Sequence, residues 1–121
     1  MKNFILEATG KTPEVILVTN GTFAISGDVR PQDPRVFFQP VFNWLNEFKK
    51  HPSTSASLIF DLEYVDTSST RVILDLIRFV SIMDNAKIIW KFEASDHDMA
   101  DLGKSLQDTV KFPLEFIAKP D

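Results

Sequence analysis

A strongly apolar amphipathic stretch held between two alternating segments constrains this chain more than any other feature. Val72 to Met83 carries Val72, Ile73, Leu74, Leu76, Ile77, Phe79, Val80, Ile82 and Met83, interrupted by Arg71, Asp75, Arg78 and Ser81 at helical spacing. Before it, Ala56 to Tyr64 alternates, with Leu58, Phe60, Leu62 and Tyr64 on one side and Asp61 and Glu63 on the other. After it, Ala86 to Glu93 alternates the same way, with Ile88, Trp90 and Phe92 set against Lys87, Ile89 and Lys91. A strand, a helix of this length and a second strand close as a right-handed parallel crossover. The wetter face shared by both strands predicts neighbours with Lys facing Asp or Glu, and helices mainly on one side of the sheet.

The remaining segments extend this unit in both directions. A short apolar segment, Phe4-Ile5-Leu6, precedes two β-branched runs, Val15 to Val18 and Thr22 to Ile25, which flank Thr19-Asn20-Gly21. Asn-Gly at such a place predicts a hairpin, because both residues tolerate positive φ. Asn20-Gly21-Thr22 also matches a glycosylation acceptor, for which the turn is the simpler explanation. From Asp33 the pattern turns helical, with Asp33 as N-cap, Pro34 at the first helical position, and Phe37, Val41, Trp44 and Phe48 on one face. Pro40 marks the place for a kink.

At about 100° per residue, Leu45, Phe38 and Phe42 fall progressively off that stripe, so the apolar arc is wider than one core contact needs. Either a neighbouring strand or the chain's own tail covers it, or Phe38 and Phe42 meet a partner. Ser95 is expected to cap a polar helix with Asp96 and Asp98 in its first turn and Met99, Leu102 and Leu106 inward, and Leu114 to Ala118 a last strand. With no repeat or long linker, residues 1–121 are expected to form one α/β (α+β) domain, a single mixed sheet in the order βββ-αβ-αβ-αβ.

Composition narrows the chemistry. With 44% hydrophobic residues and eleven Phe in 121 residues, a core needs neither metal nor disulfide. The absence of Cys excludes thiolate metal sites and a cysteine nucleophile. Thirteen Lys and Arg against seventeen Asp and Glu give a net charge of -4, with no basic block, so nucleic acid is not an expected partner. The start reaches Glu7 after only three apolar residues, which predicts a cytoplasmic protein without membrane insertion. Glycine-rich phosphate loops and nucleophile elbows are missing, and there are two His. His97, within Asp96-His97-Asp98, reads as part of a helix-capping acidic turn and not as a metal ligand; His51 precedes Pro52 in a turn. Asp61 and Glu63 share a strand face, yet facing lysines account for them better than acid–base work does. No enzyme, cofactor or metal is expected.

The block Tyr64-Val65-Asp66-Thr67-Ser68-Ser69-Thr70-Arg71 stands apart, with consecutive hydroxyl and carboxylate groups ending a strand and opening the most apolar helix. One of Asp66, Thr67 or Ser68 must cap the orphan amides. The surplus hydroxyls sit where a phosphoryl group would gain from amides and helix dipole and lose to Asp66 and Asp75.

This block resembles that of the SiaC family of bacterial regulatory phosphoproteins, which are related in architecture to the anti-sigma factor antagonists (STAS-like). The resemblance spans nearly the whole chain. It includes Glu7-Ala8-Thr9 with Lys11-Thr12-Pro13-Glu14, Ile25-Ser26-Gly27 with Phe38, Pro40 and Trp44-Leu45, and Leu62 to Ser69. Trp90, Asp96, Asp98-Met99, Gly103 and Phe112-Pro113 complete it.

The resemblance implies that a histidine-kinase-like Ser/Thr kinase phosphorylates Thr67 and that a PP2C-type phosphatase reverses this. The unphosphorylated form would activate a diguanylate cyclase, within c-di-GMP signalling and biofilm control. Asp66 stands where the family usually has Asn, so Asp66-Thr67-Ser68 also resembles the Asp-Ser-Ser of anti-sigma factor antagonists, and Ser68 remains an alternative acceptor. Arg71 stands where Lys is frequent. The implied partner surface is Asp66, Ser68, Ser69, Thr70 and Arg71, with Arg35, Phe38 and Phe42 beside it. Two other readings remain open: an anti-sigma factor antagonist bound by its own kinase, and a small-molecule or lipid-binding domain suggested by the many aromatic residues.

Overall fold

The computed structural model describes residues 1–51 and 55–121, so Pro52 in the expected turn after His51 lies outside the described residues. Six strands form one mixed sheet in sequence order: β1 (Phe4–Leu6), β2 (Glu14–Leu17), β3 (Thr22–Val29), β4 (Ser57–Val65), β5 (Lys87–Glu93) and β6 (Glu115–Lys119). Strands β1 to β3 pair antiparallel and β3 to β6 pair parallel. Three helices make the crossovers: α1 (Pro34–Phe48), α2 (Thr70–Ser81) and α3 (His97–Val110). The element order is the one the pattern predicts.

Local chemistry accounts for the boundaries. The Asn20-Gly21 turn closes the hairpin, with Gly21 at φ 97° and its amide donating to the Val18 carbonyl at 3.0 Å. Asp33 caps α1 by accepting from the Val36 amide at 3.2 Å. The helix runs on through Pro40, which lies on its exposed side. At α3 the cap is Asp96 and not Ser95, because the Asp96 carboxylate accepts from the Met99 amide at 3.1 Å while the Ser95 amide donates to Asp121.

The core lies between one sheet face and the three helices. Phe23, Ile25, Leu58, Phe60, Ile88 and Trp90 point into it from the strands, and the helices contribute Phe38, Val41, Ile73, Ile77 and Leu106. Residues alternating with them along the strands, such as Ile16, Ile59 and Ile89, remain partly exposed. The inward stripe of α1 is Phe38, Val41, Leu45 and Phe48 rather than the one centred on Phe37 and Trp44. Trp44 lies at the margin, stacked on Phe48 and donating its ring N–H to the Lys2 carbonyl at 2.8 Å.

Tyr64 also departs from the expected alternation, being 50% exposed. The β3–β4 register slips between Gly27 and Asp28, pairing Leu62 with Gly27 but Tyr64 with Asp28, and this bulge turns Tyr64 outward over the Arg30 guanidinium. Asp61 and Lys91 are register partners as anticipated, but the Asp61 carboxylate pairs with Lys119, two strands away. That hydrogen bond holds the Lys119 ammonium above the ordinary lysine range.

Two consequences are measurable. Gly103 in α3 faces the Trp90 ring, and a Cβ there would sit 2.6 Å from it and 2.8 Å from Phe116. Gly103→Ala, which raises helix propensity, is therefore expected to destabilise by roughly 1–3 kcal/mol in urea unfolding, because a buried indole cannot yield. A raised Lys119 pKa contributes stability below the unfolded lysine value and loses it as pH climbs through the folded one. Stability of the wild type is expected to fall more steeply in that alkaline range than stability of Lys119→Met.

Candidate functional site

The parallel strands β3, β4, β5 and β6 all end at one rim, and so does β1, which runs parallel to β3. Function in open α/β sheets concentrates at this carboxyl edge, where loops are free of the ladder. Here the loops are tied together. The Arg30 amide donates to the Lys11 carbonyl at 2.8 Å and its guanidinium to the Gly10 carbonyl, joining the β1–β2 loop to the end of β3. The Asp66 amide donates to the Val29 carbonyl at 3.0 Å, joining β4 to the same point.

Asp66 organises the passage from β4 into α2. Its extended backbone, φ -73° and ψ 162°, turns the chain out of β4, and its carboxylate accepts from the Ser69 amide at 2.9 Å and from the Ser68 hydroxyl at 3.2 Å. Its carbonyl accepts from the Thr70 hydroxyl at 3.3 Å. Thr67–Ser69 thereby form one 3-10 turn that feeds directly into α2. The cap chemistry expected of this block falls to Asp66.

The hydroxyls separate into three environments. Thr67 is exposed, and its hydroxyl makes no hydrogen bond among the described residues. Ser68 is exposed, with its hydroxyl committed to Asp66. Ser69 is 0% exposed and its Oγ has no partner among the described residues. The surface role expected of Ser69 is thus corrected: its backbone belongs to the cap and its side chain to the core.

The α1 candidates divide in the same way. Phe38 is 0% exposed and stacks edge-on against Phe37, so the width of the apolar arc reflects core packing and Phe38 offers nothing to a partner. Phe42 is half-buried against the Phe79 ring of α2 at 6.0 Å. Arg35 is exposed and does reach the rim: Asp75 of α2 pairs with Arg35 at 3.5 Å and with Arg71 at 3.3 Å. Asp75 is the member that the sequence motif did not reveal as a hub. Its spacing of four from Arg71 is legible, whereas the approach of α1 to α2 is not. Arg71 and Asp75, four residues apart, share one face of α2 with Arg35 beside Asp75, and Thr67 lies in the 3-10 turn that leads into that face.

Asp96 lends its carboxylate to the α3 cap, and His97 beside it is exposed. Among the described residues no group of three or more His, Asp or Glu is placed to hold a metal. No described helix is long and apolar enough to cross a membrane.

Comparison with known proteins agrees with this geometry. The apo-SiaC crystal structure from Pseudomonas aeruginosa superposes with a TM-score of 0.86 at 20% identity, covering 98% of this chain and 100% of that one. A chain in the crystal structure of the diguanylate cyclase SiaD in complex with its activator SiaC, also from Pseudomonas aeruginosa, gives 0.87 at 20% identity, covering 96% and 99%. Among curated proteins none matches. The model of the SiaC family regulatory phosphoproteins matches residues 6–119, nearly the full length, and the chain therefore belongs to the SiaC family.

Proposed function

We propose that this chain is a non-catalytic signalling protein that binds and activates a diguanylate cyclase through the rim around Asp66–Arg71, with phosphorylation of Thr67 abolishing that binding. The observation that carries the choice of acceptor is the free, exposed Thr67 hydroxyl beside a Ser68 hydroxyl already bound to Asp66. A dianion on Ser68 would face the Asp66 carboxylate directly and break the cap that holds the turn, whereas the Thr67 hydroxyl takes no part in that cap. The SiaC found in complex with SiaD supports the class of partner. The opposing enzymes in this reading are a histidine-kinase-like Ser/Thr kinase and a PP2C-type phosphatase.

The charge cluster around Asp75 supplies the mechanism. Unmodified, Thr67 presents a neutral helix start to the cyclase, and Asp75 holds Arg71 and Arg35. Phosphorylation adds nearly two negative charges one turn above Arg71, where the phosphate competes with Asp75 for the guanidinium. The surface thus changes sign at Thr67, and a cyclase interface that covered it would have to desolvate the phosphate. The fold beneath stays fixed by Asp66.

Three outcomes test this. Thr67→Asp is expected to weaken affinity for the cognate cyclase by about 10-fold or more in calorimetric titration, and an unchanged affinity rejects the reading. Mass spectrometry after incubation with the kinase and ATP should place the phosphate on Thr67 and find none in Thr67→Ala; a phosphate on Ser68 favours the anti-sigma factor antagonist reading instead. Ser69→Ala, which removes a buried hydroxyl without a partner, should leave phosphorylation intact and raise stability by about 1 kcal/mol.

A further inference from the structure

The face of the sheet turned away from the helices carries an apolar stripe in register across five strands. Ile5 pairs with Ile16, Ile16 with Ala24, Ala24 with Ile59 and Ile59 with Ile89, so these side chains stand side by side on one line across β1 to β5. Ile5 is 63% exposed, and the others are partly exposed with no described helix over them. A solvated sheet face normally carries polar residues at these alternate positions.

The next line along the strands is charged and asymmetric. It runs from Glu14 on β2 through Ser26 and Asp61 to Lys91 on β5. Asp61 is taken by Lys119, but Glu14 and Lys91 form no ion pair among the described residues. They are half-buried, of opposite sign, and equally far from the midline between β3 and β4.

We propose that this face is a homodimer interface in which a second copy stacks sheet against sheet, related by a two-fold axis running along the strands between β3 and β4. The operation lays β5 of one copy over β2 of the other. Ile16 then meets the partner subunit's Ile89, Ala24 meets the partner subunit's Ile59, and Glu14 meets the partner subunit's Lys91, each pair occurring twice. Such stacking is the aligned sheet packing of β-sandwiches, with the Lys87–Glu115 ion pair left at the rim. From strand spacing, the face measures about 25 Å by 20 Å, so a dimer buries ~1,000 Å² in total, at the low end for a specific interface. The association is accordingly weak and concentration-dependent. Thr67 lies at the carboxyl rim, at the start of a helix that covers the opposite sheet face, so the dimer leaves it accessible.

Sedimentation velocity of the full chain, from about 10 μM to about 1 mM, tests this with charge reversal. The wild type is expected to pass from monomer to dimer over that range. Glu14→Lys and Lys91→Glu, each placing like charges opposite one another twice, should weaken dimerisation about 10-fold or more, and the double swap should restore it to within about 3-fold of wild type. Circular dichroism establishes that each variant is folded, and Ile59→Lys, if folded, should be monomeric throughout. A wild type that stays monomeric at the highest concentration overturns the proposal, as does a dimer insensitive to both single reversals or a double swap that fails to recover. A monomer would leave the stripe to a heterologous partner instead.

Discussion

The hand of the parallel crossover governs this molecule. With β3 to β6 parallel and laid down in sequence order, each connection must advance one strand in the same direction. A right-handed connection repeated three times in one direction returns on the same side each time. All three helices therefore cover one sheet face, and no described helix covers the second. The alternation of buried and partly exposed residues in β3, β4 and β5 is the burial signature of that one constraint.

The same constraint gathers the candidate functional residues. Parallel strands deliver every outgoing loop to one edge, so residues far apart in sequence, around Lys11, Arg30, Asp66 and Asp96, come to share a rim. Asp66 is the economical element there. One carboxylate accepts from a backbone amide and a serine hydroxyl, and the backbone of the same residue hydrogen-bonds to β3 and Thr70. The turn is thus held from below, and the exposed Thr67 hydroxyl takes no part in that support.

Much of this was legible from the chain. The Asn20-Gly21 turn, the Asp33-Pro34 start of α1 and the apolar run of α2 depend on local chemistry, and each appears where that chemistry puts it. The misplaced features all depended on what lies across space. The Phe38 ring is core because α1 rolls to set Phe38, Val41 and Leu45 inward, and the same roll leaves Trp44 at the margin, where its ring N–H meets the Lys2 carbonyl. Tyr64 is exposed because a bulge between neighbouring strands breaks an alternation that its own strand continues.

By itself the sequence determined the order of elements, the hydroxyl block at the head of α2 and its family kinship, because propensity, capping and periodicity are local properties of the chain. Only the tertiary structure decided which hydroxyl is free, since Ser69 points inward by the rotation of the turn and Ser68 is drawn to Asp66. It also decided that Arg35 and Arg71 share Asp75, and that four isoleucines and an alanine on different strands form one line. Both depend on helix approach and strand register, which pairing across space sets and no single segment encodes.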